Sequence, residues 1–143
     1  MGAVAVLMTA LAGACGGSGG SSAGTATNKA DWDKRNGAVV AAVSTDVDAA
    51  NEALSKGDRP VILSSCNQLQ EDLADARKGL PVPDAAADSA VRAGLDAVAT
   101  AVPTCLNGGR VANEARVVEQ AQREMKAARA KMDDAAKAIA AWQ

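Results

Sequence analysis

Apolar residues recur at alternating intervals of three and four positions through the end of the chain, and this period most constrains its fold. Because a helical turn takes about 3.6 residues, such a pattern places the apolar side chains on one face of one long helix. It predicts a helix over about 110–142. The apolar stripe consists of Val118, Ala121, Met125, Ala128, Met132, Ala135, Ile139 and Trp142.

This stripe has two interpretations. Sustained heptads are typical of a coiled coil with a partner, and they are equally typical of the core-facing side of a bundle. We favour the bundle. The polar face of the same helix pairs Glu119 with Arg123 and Asp133 with Lys137, each four residues apart. Such pairs contribute only about 0.3 kcal/mol each, so they indicate a face in water.

Three earlier segments share the helical period. The first covers about 31–56, the second about 60–78, and the third follows Asp84. Four amphipathic segments in one chain predict four helices. Their apolar stripes are Val39, Val43, Val47, Ala50 and Leu54; Ile62, Cys66, Leu69, Leu73 and Ala76; and Val91, Leu95, Val98, Val102 and Cys105.

Turn-forming residues separate the segments. Gly57 is suited to cap the end of the first helix, and Pro60 is suited to the first turn of the second. The stretch "KGLPVPD" at 78–84 breaks the second helix, and its final aspartate is predicted to be the N-cap of the third. Pro103 should kink or end the third helix, and "NGG" at 107–109 should terminate it.

Composition agrees with the periodicity. Alanine, the best helix former, makes up about a quarter of the chain, whereas Phe and Tyr are absent. The β-branched and aromatic enrichment expected of strands is therefore missing. We predict an all-α fold over residues 31–143, a small antiparallel bundle of about four helices with a core of Val, Leu, Ile, Met and Ala.

Several functions are disfavoured by what the chain lacks. It contains no histidine, which removes the usual general base near neutral pH and the commonest metal ligand. A formal net charge of −2 is untypical of nucleic-acid binding. Glu71, Asp72 and Asp75 are interpreted as an exposed face next to Arg77 and Lys78. We predict no catalytic residue, no metal site, no cofactor and no enzymatic activity.

The first thirty residues consist of an apolar stretch, a cysteine and a linker. The stretch "AVAVLMTALAGA" at 3–14 carries no charge, and it is shorter than the roughly 20 residues of a membrane-spanning helix. It predicts a signal peptide over 1–14. The stretch at 16–30, "GGSGGSSAGTATNKA", has the composition of a flexible linker with a reach of roughly 20 Å. Residues 15–30 are therefore predicted to be a tether.

The cysteine between these two stretches carries a resemblance. "LAGAC" at 11–15, with small residues directly before the cysteine, resembles the lipobox of bacterial lipoproteins. The resemblance implies cleavage just before Cys15 and attachment of a diacylglycerol to its thiol. It implies a protein held by lipid at the extracytoplasmic face of the cell membrane. The alternative is an uncleaved tail with an incidental cysteine.

The other two cysteines lie on the apolar stripes of consecutive helices. If Cys15 carries lipid, Cys66 and Cys105 remain as one pair, and we predict a disulfide between them. Two buried free thiols are the alternative. The register is imperfect, because Cys66 lies 12 residues before Lys78 whereas Cys105 lies 21 after Asp84. The connection between the helices, or a kink in the third helix, has to absorb this difference.

The segment between these cysteines follows a recognisable order, in which a helix with a Cys leads to a Pro-x-Pro-Asp turn and then to a helix closed by a second Cys. The positions that carry it are Cys66, Leu69, Pro81, Pro83, Asp84, Leu95 and Cys105. In this order the segment resembles small exported lipoproteins of actinobacteria. The resemblance implies an exported helical protein and no established activity.

Trp32 and Trp142 are the only aromatic residues. Because Trp is enriched in interface hot spots, both are candidate anchors for a protein partner in the cell envelope. We favour another role, in which each tryptophan caps one of the two opposite ends of the bundle.

Together these features predict a membrane-anchored extracytoplasmic lipoprotein that acts as a non-enzymatic binding or structural module. The membrane is its first partner, through the lipid anchor. The alternative is a carrier of a small apolar ligand held between the helices. Ligand pockets usually need about 300 Å³ or more, and a core of alanine and valine leaves little room for one.

Overall fold

In the computed structural model of the protein, which describes residues 28–111 and 114–143, four helices follow one another along the chain. The first begins as α1, passes through a π-helical stretch and continues as α2 without a break. The described ranges contain no strand, so the all-α prediction is confirmed. The elements are α1 (Lys29–Trp32), the π-helical stretch (Asp33–Gly37), α2 (Ala38–Lys56), α3 (Arg59–Lys78), α4 (Ala85–Arg110) and α5 (Ala115–Ala141).

The helices form an antiparallel bundle. Each of α2, α3, α4 and α5 packs against the next, and α5 closes the bundle by packing against α2. Two contacts show that α2 and α5 run in opposite directions: Arg129 meets Asp48, whereas Gln122, earlier in α5, meets Leu54, later in α2. The predicted bundle of about four helices is confirmed.

The core is built from the predicted apolar stripes. Among the described residues, the buried side chains are apolar, and none is charged or polar. Alanine, valine and leucine fill most of the interior, with Met125 and Met132 on α5. The buried stripe residues include Val43, Val47, Ala50, Ile62, Cys66, Leu69, Val91, Leu95, Val98, Cys105, Ala121, Ala128 and Ala135.

The predicted caps are present at the helix ends. Gly57 ends α2 in the left-handed conformation, with φ of 71°, which residues with a side chain rarely adopt. Asp58 and Asp84 begin the next two helices, and each side chain accepts a backbone N–H of the first turn. Pro60 lies in the first turn of α3, as predicted.

The predicted termination of the third helix is wrong. Pro103 lies inside α4, and the helix continues through Gly108 and Gly109 to Arg110. Pro103 is on the exposed side, where water can bind the carbonyl group that lacks an N–H partner. The last turn is held by Arg59, whose guanidinium donates to the carbonyls of Gly109 (3.2 Å) and Arg110 (2.6 Å).

The register difference between the two cysteines is absorbed by the connection between α3 and α4. The Arg77–Asp96 ion pair (3.0 Å) joins α3 to α4 almost in the register set by the cysteines, close to the end of α3. Beyond this pair α3 ends, whereas α4 extends further towards its own start. Residues 79–84 run beside these first turns of α4. The backbone N–H of Val82 donates to Asp88 in this region (2.8 Å).

Candidate functional site

The predicted site residues differ in what the structure shows of them. Cys15 and the predicted signal peptide lie outside the described residues, as does the tether up to residue 27. Cys66 and Cys105 are joined in a disulfide with a Cα–Cα distance of 6.0 Å, which confirms the predicted pairing. Both cysteines are fully buried in the core. The disulfide therefore links α3 to α4 out of contact with solvent.

Trp32 and Trp142 meet, although we expected them to cap opposite ends. Their ring centroids are 6.1 Å apart in an edge-to-face arrangement. The expectation was wrong because the first and last helices of an antiparallel four-helix bundle place the start of one beside the end of the other. The tryptophans define one end of the molecule, the tryptophan end, formed by α1, residues 79–84 and the end of α5.

Trp32 is an internal residue of the tryptophan end. Its side chain is only 1% exposed, and its Nε1–H donates to the carbonyl of Gly79 (2.9 Å). Trp142 is half-buried, and the Lys29 ammonium lies 5.9 Å from its ring centroid. A partner can reach the Trp142 ring, whereas Trp32 is covered by the protein itself.

The opposite end, the glycine end, consists of the turn at Gly57, the end of α4 and the start of α5. A cleft of about 440 Å³ opens there to solvent. Its floor is apolar, with Leu54, Ile62 and Val118, and its rim includes Lys56 and Glu119. This mixture of an apolar floor and charges of both signs suits a polar partner with an exposed apolar side chain.

A second depression is more apolar and runs between α2 and α5. This α2–α5 groove has a volume of about 360 Å³ and is lined by Val40, Met132 and Ile139 together with small residues of both helices. At its margin Lys29 forms an ion pair with Asp33 (2.6 Å). The groove starts next to Lys29, near the point where the predicted tether joins the bundle.

Charged side chains bridge α2 and α5 beyond the groove. Arg129 binds Asp48 across the interface (2.7 Å) and also Asp133 on its own helix. The predicted pairing of Asp133 with Lys137 is therefore wrong, and Lys137 lies instead 3.7 Å from Asp134. Asp133 prefers Arg129 because that guanidinium is already held at the interface.

The predicted Glu119–Arg123 pair is present, with 4.0 Å between its charged atoms. Both side chains are largely exposed, which agrees with a solvated face.

Sequence reasoning missed a pair of carboxyl groups between α2 and α3. Asp72 was interpreted as exposed, but it is half-buried, as is Asp46. Burial of Asp46, together with hydrogen bonding to Asp72 and repulsion by the Asp72 charge, raises the pKa of Asp46 to about 6. A helical period marks both residues only as flanking an apolar stripe, so it does not reveal that they meet.

No metal centre and no membrane-crossing helix is found in the described part of the chain. Within residues 28–111 and 114–143, no three Cys, Asp or Glu side chains are grouped so that they could hold a metal ion. None of the helices in these ranges is long and apolar enough to span a bilayer. Comparison with family models, with curated proteins and with solved structures gives no match to the chain.

Proposed function

We propose that the protein is a membrane-anchored extracytoplasmic lipoprotein whose helical bundle acts as a non-enzymatic binding or structural module. The observation that carries the proposal is the order of the first thirty residues: an apolar stretch, small residues, Cys15 and a Gly/Ser-rich linker. This order is the one that lipid attachment and a flexible tether require.

The disulfide supports the exported location. Disulfides persist in oxidising surroundings and are rare in the cytosol, where thiols are kept reduced. The Cys66–Cys105 bond is enclosed by the core and links two long helices, so it belongs to the folded architecture.

The bundle suits a module that presents a surface at a distance from the membrane. The described chain starts at Asn28, next to the tryptophan end. A tether that joins there turns the glycine end, with its cleft of about 440 Å³, away from the bilayer. We propose that this cleft faces a partner in the cell envelope.

The lipid anchor is tested by Cys15→Ser. The variant should lose incorporation of a labelled fatty acid and should leave the membrane fraction, because the thiol that accepts the lipid is gone. Ser21→Ala, in the same linker, is the matched control and should behave as the natural protein. Unchanged lipid labelling and membrane association in Cys15→Ser would contradict the anchor.

The presentation of the glycine end is tested by cross-linking on intact cells. A photo-reactive residue placed at Glu119, on the rim of the cleft, should reproducibly cross-link to one protein of the envelope. The same residue placed at Ala127, on the exposed face of α5 outside the cleft, should not. Equal capture at both positions would mean that the cleft has no special role.

The second candidate function is that of a carrier for a small apolar ligand, and the α2–α5 groove is the observation that favours it. Its volume of about 360 Å³ reaches the lower range of ligand pockets, and its lining is mostly apolar. A fluorescent fatty acid should then bind saturably, and Ala136→Trp, which fills the groove, should abolish the binding. Ala127→Trp is the matched control. Absence of saturable binding to the natural protein would eliminate this candidate.

A further inference from the structure

The tryptophan end presents apolar side chains to solvent. Trp142 is half-buried, with one edge of its ring system against Trp32 (6.1 Å between centroids). Ile139, one turn before it, is also half-buried and lines the α2–α5 groove. Pro81 and Pro83, in the connection between α3 and α4, are exposed. Apolar surface from the last helix and from this connection is therefore left in water at one end of the molecule.

The ring of Trp142 has a lysine beside it. The Lys29 ammonium lies 5.9 Å from the ring centroid and forms an ion pair with Asp33 (2.6 Å). Tryptophan is enriched at the interface between bilayer and water, because its ring is apolar and its N–H is polar. A lysine at the same depth lays its alkyl chain along apolar surface and keeps its ammonium in water. The exposed part of Trp142 and its neighbour thus suit a lipid surface.

Charge contributes little to such a contact. Two further lysines of this end also have acidic neighbours: Lys78 binds Asp75 (2.5 Å), and Lys137 lies 3.7 Å from Asp134. Anionic lipids attract clusters of unpaired lysine and arginine, and a lysine next to an aspartate offers them no such excess of positive charge. Contact between this end and a bilayer therefore has to come from its apolar surface, and it should not require anionic lipid.

The length of the tether favours this end over the glycine end as the one that faces the bilayer. Residues 15–27 join the described chain at Asn28, beside Lys29. As a flexible linker they reach roughly 20 Å, and fully extended they reach about 45 Å. Helix α5, with 27 residues, is about 40 Å long. To bring the glycine end to the bilayer, the tether would have to extend almost completely, which costs conformational entropy.

We propose that the tryptophan end docks onto the lipid surface, with the ring of Trp142 among the headgroups and the bundle directed away from the bilayer. This inference rests on the proposed lipid anchor, which keeps the tryptophan end within roughly 20 Å of the membrane. At that range the contact forms within one tethered molecule, so an apolar surface too small to recruit the protein from solution is sufficient. Docking holds the cleft of the glycine end about 40 Å from the bilayer.

Tryptophan fluorescence on vesicles tests the docking. Because Cys66 and Cys105 form the disulfide, the thiol of Cys15 can couple the full chain to phosphatidylcholine vesicles that carry a maleimide lipid. Phosphatidylcholine brominated near the headgroup end of its acyl chains should then quench the emission of the natural protein. Trp142→Phe should lose most of this quenching, since the remaining Trp32 is only 1% exposed. Undiminished emission of the coupled natural protein would overturn the proposal.

A tryptophan moved to the other end is the matched control. Glu119→Trp combined with Trp142→Phe places the exposed ring at the glycine end, and its emission should stay unquenched on the same vesicles. Equal quenching at both ends would overturn the proposal, because a bundle that lies flat has no docking end. The maleimide supplies the link to lipid in this experiment. A failure of lipid attachment in cells, detected by fatty-acid labelling, is thus distinguished from a failure of docking.

Discussion

The two ends of the bundle are packed by different means. At the tryptophan end, two large aromatic rings and a hydrogen bond from Trp32 to Gly79 fill the space between the first helix, the last helix and residues 79–84. At the glycine end, Gly109 allows α4 to approach α3 closely at Leu63, and a cleft of about 440 Å³ remains open beside Gly108. The first end is filled with large side chains, and the second combines a close helix contact with a cleft.

The disulfide adds to this difference. It lies in the half of the bundle nearer the glycine end, since Cys66 is in the second turn of α3 and Cys105 is near the end of α4. The glycine end is thus held by a covalent bond, whereas the tryptophan end depends on non-covalent packing. Substitutions at the two ends should therefore lower the free energy of unfolding for different physical reasons.

The largest effect is expected from removing the covalent link. The double substitution Cys66→Ala and Cys105→Ala should lower the free energy of unfolding by on the order of 4 kcal/mol, because the unfolded chain regains the entropy of a loop closed over a separation of 39 residues. Urea unfolding measures the loss. Reduction of the natural protein should reproduce it, and a loss below about 1 kcal/mol would show that the helices hold together without the bond.

The tryptophan end should respond next most strongly. Trp32→Ala removes a ring that is 1% exposed and should cost about 3 kcal/mol. Trp32→Phe keeps most of the packing and loses the hydrogen bond to Gly79, so it should cost about 1 kcal/mol. Chemical unfolding of both variants gives the comparison. Equal losses would mean that the hydrogen bond, and not the ring, holds this end.

Two adjacent glycines sharpen the comparison at the other end. A Cβ at position 109 would lie 2.7 Å from Leu63 Cγ, whereas a Cβ at position 108 would make ordinary contacts, the nearest at 3.5 Å from Leu54. Gly109→Ala should therefore destabilise the protein by about 1 kcal/mol. Gly108→Ala should stabilise it by up to about 1 kcal/mol, because alanine favours the helix. Thermal unfolding distinguishes them, and stabilisation by both would contradict the close approach.

The smallest effect concerns the connection beside the tryptophan end. Burial of Asp88 opposes its ionisation, but hydrogen bonds from Arg92 and from the Val82 backbone outweigh burial and lower the pKa of Asp88 below 3.8. Its stabilisation is present above that value and lost as the pH falls below it, the reverse of Asp46. Asp88→Asn keeps an acceptor for Val82 and should cost roughly 0.5 kcal/mol at pH 7, after screening by water.

The control for Asp88→Asn is the same unfolding measurement repeated at acid pH. In acid unfolding the difference between Asp88→Asn and the natural protein should shrink and then disappear as the pH falls through the lowered pKa of Asp88, since the native carboxyl group is then also neutral. A difference that persists in acid would assign the effect to packing.

The middle of the bundle was predictable from the sequence, because burial there repeats with the helical period. Most stripe residues of all four segments lie in the core, and two stripes brought Cys66 and Cys105 together. The exceptions are partly buried against the core: Val39, Val118, Ile139 and Trp142. Caps such as Gly57 and Asp84 were predictable as well, since they depend on the conformation of one or two residues.

The ends were not predictable, because they depend on contacts between distant residues. Whether a helix stops at Gly108 and Gly109 depends on Leu63 and Arg59, about fifty positions away. The meeting of Trp32 and Trp142 depends on the order of helices around the bundle. The Asp46 contact depends on how α2 is rotated against α3, which a period of three and four residues leaves open.

The Cys66–Cys105 bond has a consequence for the fate of the protein after proteolysis. The connection at 79–84, which includes the exposed residues Pro81 and Pro83, lies inside the ring that this bond closes. A single cut there separates no piece of the chain, because both fragments stay covalently attached through the cysteines. The nicked molecule therefore remains one particle, and it separates into two parts only when cleavage is combined with reduction and unfolding.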